Sequence, residues 1–155
     1  MARCRLLLLG SPQLQSNGTA APVKLRKAVA LVAYLAVENR SFSREYLASL
    51  LWPNHGQKSA LANLRRTLSQ VKSIFGEPCL VTQGDQLRLD SSVITVDVDE
   101  FRTLIETRPD GSDPDRLEQA SRLYRGVFLE GFNLGDCLEF DEWQDSVRER
   151  LAIQA

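Results

Sequence analysis

The chain is poor in the residues that carry most site chemistry. It has one histidine, His55, and three cysteines, Cys4, Cys79 and Cys137. The cysteines are odd in number and far apart, form no CxxC pair and stand at no metal-ligand spacing from His55. They read as reduced, mostly buried thiols of a cytosolic protein, not as a disulfide framework or a zinc site. A Gly-rich phosphate loop and a nucleophile motif are also missing, so neither an enzyme nor a cofactor is expected. Long apolar runs are absent too. Leu6-Leu7-Leu8-Leu9 after Arg3 and Arg5 resembles the start of a signal peptide, but Gly10, Pro12 and Gln13 end it. No stretch is long enough to span a membrane, and a cytoplasmic location is expected.

One local absence is more informative. No acidic residue occurs between Glu45 and Glu77, and Lys24 to Lys72 carries nine basic and two acidic residues, a net charge of +7. From Asp97 to the end the balance is −8, although the whole chain is at −1. A basic first half beside an acidic second half suggests two modules with different partners. A polyanion could approach the acid-free stretch without meeting like charge.

Hydrophobic spacing supplies the elements. Cys4 to Leu9 reads as a strand, Asn17-Gly18 as a turn and Val23-Lys24-Leu25 as a second short strand. Ala28, Leu31, Val32, Leu35 and Ala36 predict a helix over 26–38. Ser43 is placed to cap a helix over 44–52 that Pro53 stops. A turn at 54–56 precedes a long helix over 57–75, ended by Gly76 and Pro78. Cys79–Thr82 and Gln86–Leu89 flank Gln83-Gly84-Asp85 as a hairpin. Ile94 to Val98 is extended, with Asp99 as the expected cap of a helix through Thr107. RPDGSDP at 108–114 is a loop whose last residue, Pro114, opens another helix. Phe128, Leu129 and Phe132 form an apolar connector. The last helix, from Glu139, carries Phe140, Trp143, Val147 and Leu151 on one face.

The helix over 57–75 can be read by angle. With Leu64 at zero and about 100° per residue, Ala60, Leu61, Leu68, Val71 and Phe75 fall within about 60°. Lys58, Arg65 and Lys72 share one edge and Arg66 lies on the far side. Small Ser59, Ala62, Ser69 and Ser73 lie between. A helix entering the major groove needs such a narrow outward face flanked by long donors. From this helix alone a merely solvated amphipathic face is slightly the better reading, because amphipathic helices with several basic residues are common. The setting decides: a capped helix, a short turn, a second basic helix and then a hairpin is the order of a helix-turn-helix with a wing.

These residues also resemble known families. "SREYLASLLW", "LANLRRTLSQVK" and "LVTQGDQLRL" are similar to the winged helix-turn-helix domain of OmpR-type response regulators. "VDVDEFRTLI", "ASRLYRGVFLEGF" and "FDEWQDSVRERL" resemble the bacterial transcriptional activator domain that follows it in SARP-type regulators. The resemblance implies an α+β winged helix-turn-helix over 1–93, followed by an all-α, TPR-like segment over 94–155. TPR-like units are stable as stacked arrays, so the second segment reads as a truncated start or a minimal version. The implied DNA-contacting residues are Ser43 and Arg44 at the first helix start and Lys58, Ser59, Asn63, Arg65, Arg66, Ser69 and Lys72 on the recognition helix. Thr82, Gln83, Gln86 and Arg88 fall on the wing. Gln83 and Gln86 depart from the basic residue and glycine that response regulators often carry there. A receiver domain ahead of the winged helix is not expected.

The implied function is a sequence-specific DNA-binding transcriptional regulator of the activator kind. Its partners would be double-stranded DNA and, through the helical half, RNA polymerase or a second protomer. An interaction module that docks proteins through both halves is the alternative. Remaining candidates have plainer readings. His55 is a solvated loop histidine, Asp97 and Asp99 cap a helix, and Trp52 and Trp143 pack in the core. The acidic run over 136–145 is either a solvated face or a surface for a basic partner.

Overall fold

The computed structural model describes residues 4–16, 19–22, 25–106 and 114–154. The Asn17-Gly18 turn, Val23, Lys24 and residues 108–113 of the expected loop lie outside them. The described chain is mixed α+β, mostly helical, with two small sheets.

The first sheet has the order β3-β2-β1-β7. Its centre is β1 (Cys4–Leu7), whose apolar residues continue into fully buried Leu8 and Leu9. β1 pairs antiparallel with β2 (Gln13–Ser16), which pairs antiparallel with β3 (Thr19–Pro22). On its other edge β1 pairs parallel with β7 (Ile94–Val96), in register Leu6↔Val96. The expected second strand at 23–25 is thus corrected where it can be followed. Leu25 is the residue that enters α1, and the partners of β1 come from 13–16 and 94–96.

α1 (Arg26–Glu38) is buried without a break from Ala28 to Val37, so it runs through the middle of the molecule. It ends at Asn39 in a left-handed conformation, φ 53° and ψ 46°, which asparagine tolerates better than most residues. α2 (Arg44–Leu51) begins as expected: Ser43 Oγ accepts the Tyr46 N–H at 3.1 Å. α3 (Gln57–Phe75) packs chiefly on α2 and α1, burying Ala60, Leu64, Thr67, Leu68, Val71 and Phe75. A single 3-10 turn, Glu77–Cys79, leads into the hairpin of β5 (Leu80–Gln83) and β6 (Gln86–Leu89). The two-residue β4 (Phe42–Ser43) joins β6, so the second sheet has the order β4-β6-β5.

α4 (Asp97–Glu106) starts two residues before the expected cap at Asp99. The reason is a long-range contact. The Asp97 carboxylate, 1% exposed, accepts the N–H groups of Leu8 at 2.8 Å and Leu9 at 2.9 Å. It therefore ties α4 to the end of β1. α5 (Pro114–Leu123) packs on α4 and begins at the proline, as its fixed φ favours.

Between α5 and α6 (Leu138–Gln154) the connector is buried at Phe128, Leu129 and Phe132. A buried loop must satisfy its carbonyls. Two side chains of α6 do so here. Arg148 donates to the carbonyls of Phe128 (2.7 Å), Leu129 (2.7 Å) and Phe132 (2.9 Å), and Gln144 donates to that of Phe132 at 2.7 Å.

The charge change near residue 97 is not a packing boundary. β7 belongs to the N-terminal sheet, and residues of both halves share one buried cluster. The Trp143 ring packs on Tyr34 with centroids 4.8 Å apart, and its indole N–H donates to Glu38 at 2.9 Å. Burial, then the bond to Tyr46 at 2.8 Å, pushes the Tyr34 hydroxyl pKa well up.

Candidate nucleic-acid interface

The buried stripe of α3 fixes what the helix shows to solvent. Lys58, Ser59, Ala62, Arg65, Arg66, Ser69 and Ser73 are exposed, and Asn63 and Lys72 are half-buried. The side chains anticipated for the groove are thus on the open face. By helical angle Ala62, Ser69 and Ser73 lie between Arg65 and Arg66, with Ser59 just past Arg66, so the outward surface is narrow with a cation on either shoulder.

The shoulders face different neighbours. Arg65, Ser69 and Lys72 line a groove of about 420 Å³ with Leu61, Leu64 and Leu68, closed on its far side by Arg44, Glu45 and Asp85. It lies between α3, the start of α2 and the tip of the hairpin. Arg66 and Asn63 line a separate groove of about 500 Å³ on the other flank of α3. One helix therefore presents two basic edges, and the structure does not bring all the anticipated residues into one pocket.

The hairpin is anchored where the site needs it. β4 pairs with β6 in register Ser43↔Gln86, which sets the hairpin against the start of α2. The Arg44 N–H donates to the Asp85 carbonyl at 2.9 Å, and its guanidinium to the Gly84 carbonyl at 3.2 Å. The Arg44 N–H is thus engaged by the hairpin, while its guanidinium retains further donors. Ser43 Oγ is likewise engaged by the cap. Thr82, Gln83, Gln86 and Arg88 are all exposed on the wing, while Leu87 and Leu89 of β6 point inward. Gly84, at φ +64°, makes the tip and has open space around it.

Sequence reading missed Arg26, Lys27 and Gln70, which line the second groove with His55, Trp52 and Asp136. Their basic charge was legible, but their place beside α3 depends on how α1 crosses it.

The other candidates are engaged structurally. Lys27 Nζ is 3.3 Å from Asp136, 2.9 Å from Cys137 Sγ and bonded to the Leu51 carbonyl. Burial alone would raise the Asp136 pKa; the Cys137 hydrogen bond and the Lys27 charge bring it below the usual value. Asp141 accepts the N–H groups of Leu134 (3.2 Å) and Gly135 (3.1 Å), and Glu139 accepts the Tyr46 hydroxyl at 3.4 Å. The acidic run over 136–145 is in part a docking face toward α1 and α2. Among the described residues no three His, Cys, Asp or Glu side chains gather as a metal site, and no helix is long and apolar enough to cross a membrane.

No family model and no curated protein matches the chain. Among solved structures the chain is similar to Mycobacterium tuberculosis EmbR, solved in complex with a low-affinity phosphopeptide. The TM-score is 0.71 at 22% sequence identity, over 99% of this chain and 44% of that one. The chain thus spans less than half the length of its structural neighbour, with which it shares a fold of small sheets and predominant helices.

Proposed function

We propose that this chain is a sequence-specific DNA-binding transcriptional regulator of the SARP type, acting in the bacterial cytoplasm as an activator and not as an enzyme. The observation that carries the reading is the open face of α3. It is narrow, free of acid, shouldered by Arg65 and Arg66, and stands beside a wing pinned to the start of α2. In this reading α3 enters the major groove, where side chains reach base edges. Arg44, Lys58 and Lys72 meet backbone phosphates, and Thr82, Gln83, Gln86 and Arg88 lie along the adjacent minor groove. The fold shared with EmbR over nearly the whole chain accords with this reading.

The helical half would serve protein contacts with RNA polymerase or a second protomer.

Gel-shift titration of the chain and of its Arg65→Ala and Arg66→Ala variants tests the assignment. Each variant should bind more weakly, with a log-affinity slope against log salt shallower by about one unit. Unchanged binding in both would rule out α3 as the recognition helix. Selection of bound genomic fragments would separate sequence-specific from indiscriminate binding.

A further inference from the structure

The second groove has a feature that a recognition helix alone does not require: one wall comes from α1 and its support comes from the acidic half. Arg26 lies in the first turn of α1, exposed, and lines this groove opposite Arg66, Asn63 and Gln70 of α3. Lys27 and Asp136 also line it, but they pair with each other at 3.3 Å and cancel. That leaves Arg26 and Arg66 as its net charge, and among the described residues neither has an ion-pair partner. With His55 and two amides beside them, the groove offers hydrogen-bond donors and net positive charge.

Arg26 is also held in place. Its guanidinium carbon sits 5.1 Å from the ring centroid of Phe132, in cation–π range. Phe132 is 8% exposed, and its carbonyl is fixed by Gln144 and Arg148 of α6. The acidic half thus supplies the platform on which a cation of the basic half rests.

We infer that the groove between α1 and the outer flank of α3 seats a backbone phosphate of duplex DNA, gripped by Arg26 and Arg66, with Phe132 as the positioning residue for Arg26. The inference rests on the DNA-binding reading above and extends it to both flanks of α3. Arg44 and Lys72 hold one strand, Arg26 and Arg66 the other. Such contacts fix orientation and carry no sequence information themselves.

Fluorescence anisotropy of the full chain on a mixed-sequence duplex, titrated with salt, tests it. Arg26→Ala should lower the salt slope by about 0.9 and weaken binding roughly three- to tenfold at fixed salt. Arg122→Ala, on exposed α5 and paired with Glu118, should leave both unchanged. Phe132→Leu should weaken binding in the wild-type background, Phe132→Tyr should retain it, and Phe132→Leu should add nothing in an Arg26→Ala background. A wild-type slope in Arg26→Ala, with a reduced slope in Arg65→Ala, would overturn the inference and leave the DNA-binding reading intact. A further loss from Phe132→Leu in the Arg26→Ala background would overturn the positioning role. No binding by the wild-type chain at any salt would remove the reading and the inference together.

Discussion

Replacing Asp97 by asparagine tests how α4 is joined to β1. Each carboxylate oxygen now accepts one backbone N–H, from Leu8 and from Leu9, in a fully buried setting. Asparagine keeps the shape but offers one oxygen. Its amide must face the second N–H, so one charge-assisted bond is lost and two donors oppose each other. Loss of such a bond costs about 1.5–3 kcal/mol, and an unpaired buried donor about 1–3 kcal/mol. Against this, asparagine avoids burying a charge. Burial raises the Asp97 pKa despite the two N–H groups and the nearby Arg125 and Arg5 charges, so the carboxylate is itself penalised. The net expectation is a loss of about 2 kcal/mol for Asp97→Asn and about 4 kcal/mol for Asp97→Ala, which leaves both donors unpaired. Urea unfolding at neutral pH, followed by the fluorescence of Trp52 and Trp143, measures both. The pH dependence adds a sign. A carboxyl with a raised folded pKa holds its proton more tightly when folded, so its contribution is largest in acid and is lost as pH rises through the folded value. The gap between wild type and Asp97→Asn should therefore widen as the pH falls toward the ordinary carboxylate range. An asparagine variant within about 0.5 kcal/mol of wild type, or a gap that narrows in acid, would refute the account.

Two further substitutions probe the packing around α1 and α2. Ser43→Ala removes the cap of α2 and should cost about 1 kcal/mol in thermal unfolding, whereas Ser43→Gly should cost only a few tenths; equal losses would contradict the cap. Trp143→Phe keeps the tilted ring contact with Tyr34 but loses the bond to Glu38, and should destabilise by about 1–2 kcal/mol in a urea titration read by circular dichroism.

Local pattern carried much of this fold into the sequence. The bounds of α1, the capped start of α2, the Gln57–Phe75 helix and the hairpin all follow from spacing, caps and turn residues within a few positions of each element. The exposed face of α3 followed from the same angular reading. What escaped was set by distant partners. Gln13–Ser16 and Thr19–Pro22 have little strand propensity of their own and are strands because β1 offers an edge. Asp97 looks like one more acid at a helix start until Leu8 and Leu9 are seen beside it. Arg26 and Gln70 line one groove beside α3 only because α1 crosses α3, and nothing in either segment states that crossing.

The parallel pairing of β1 with β7 bears on the order in which the chain matures. During synthesis β1 emerges first, and its hairpin with β2 can close at once because few residues separate them. Its other edge must wait. Asp97 stands 89 positions beyond Leu8, so the basic half is fully made before the sheet can be completed. Closing so long a loop is slow relative to local helix and hairpin formation. Until then the N–H groups of Leu8 and Leu9 lack the carboxylate, and the central strand keeps an open edge able to pair with other chains. The basic half thus reaches its final form only when the first residues of the acidic half arrive.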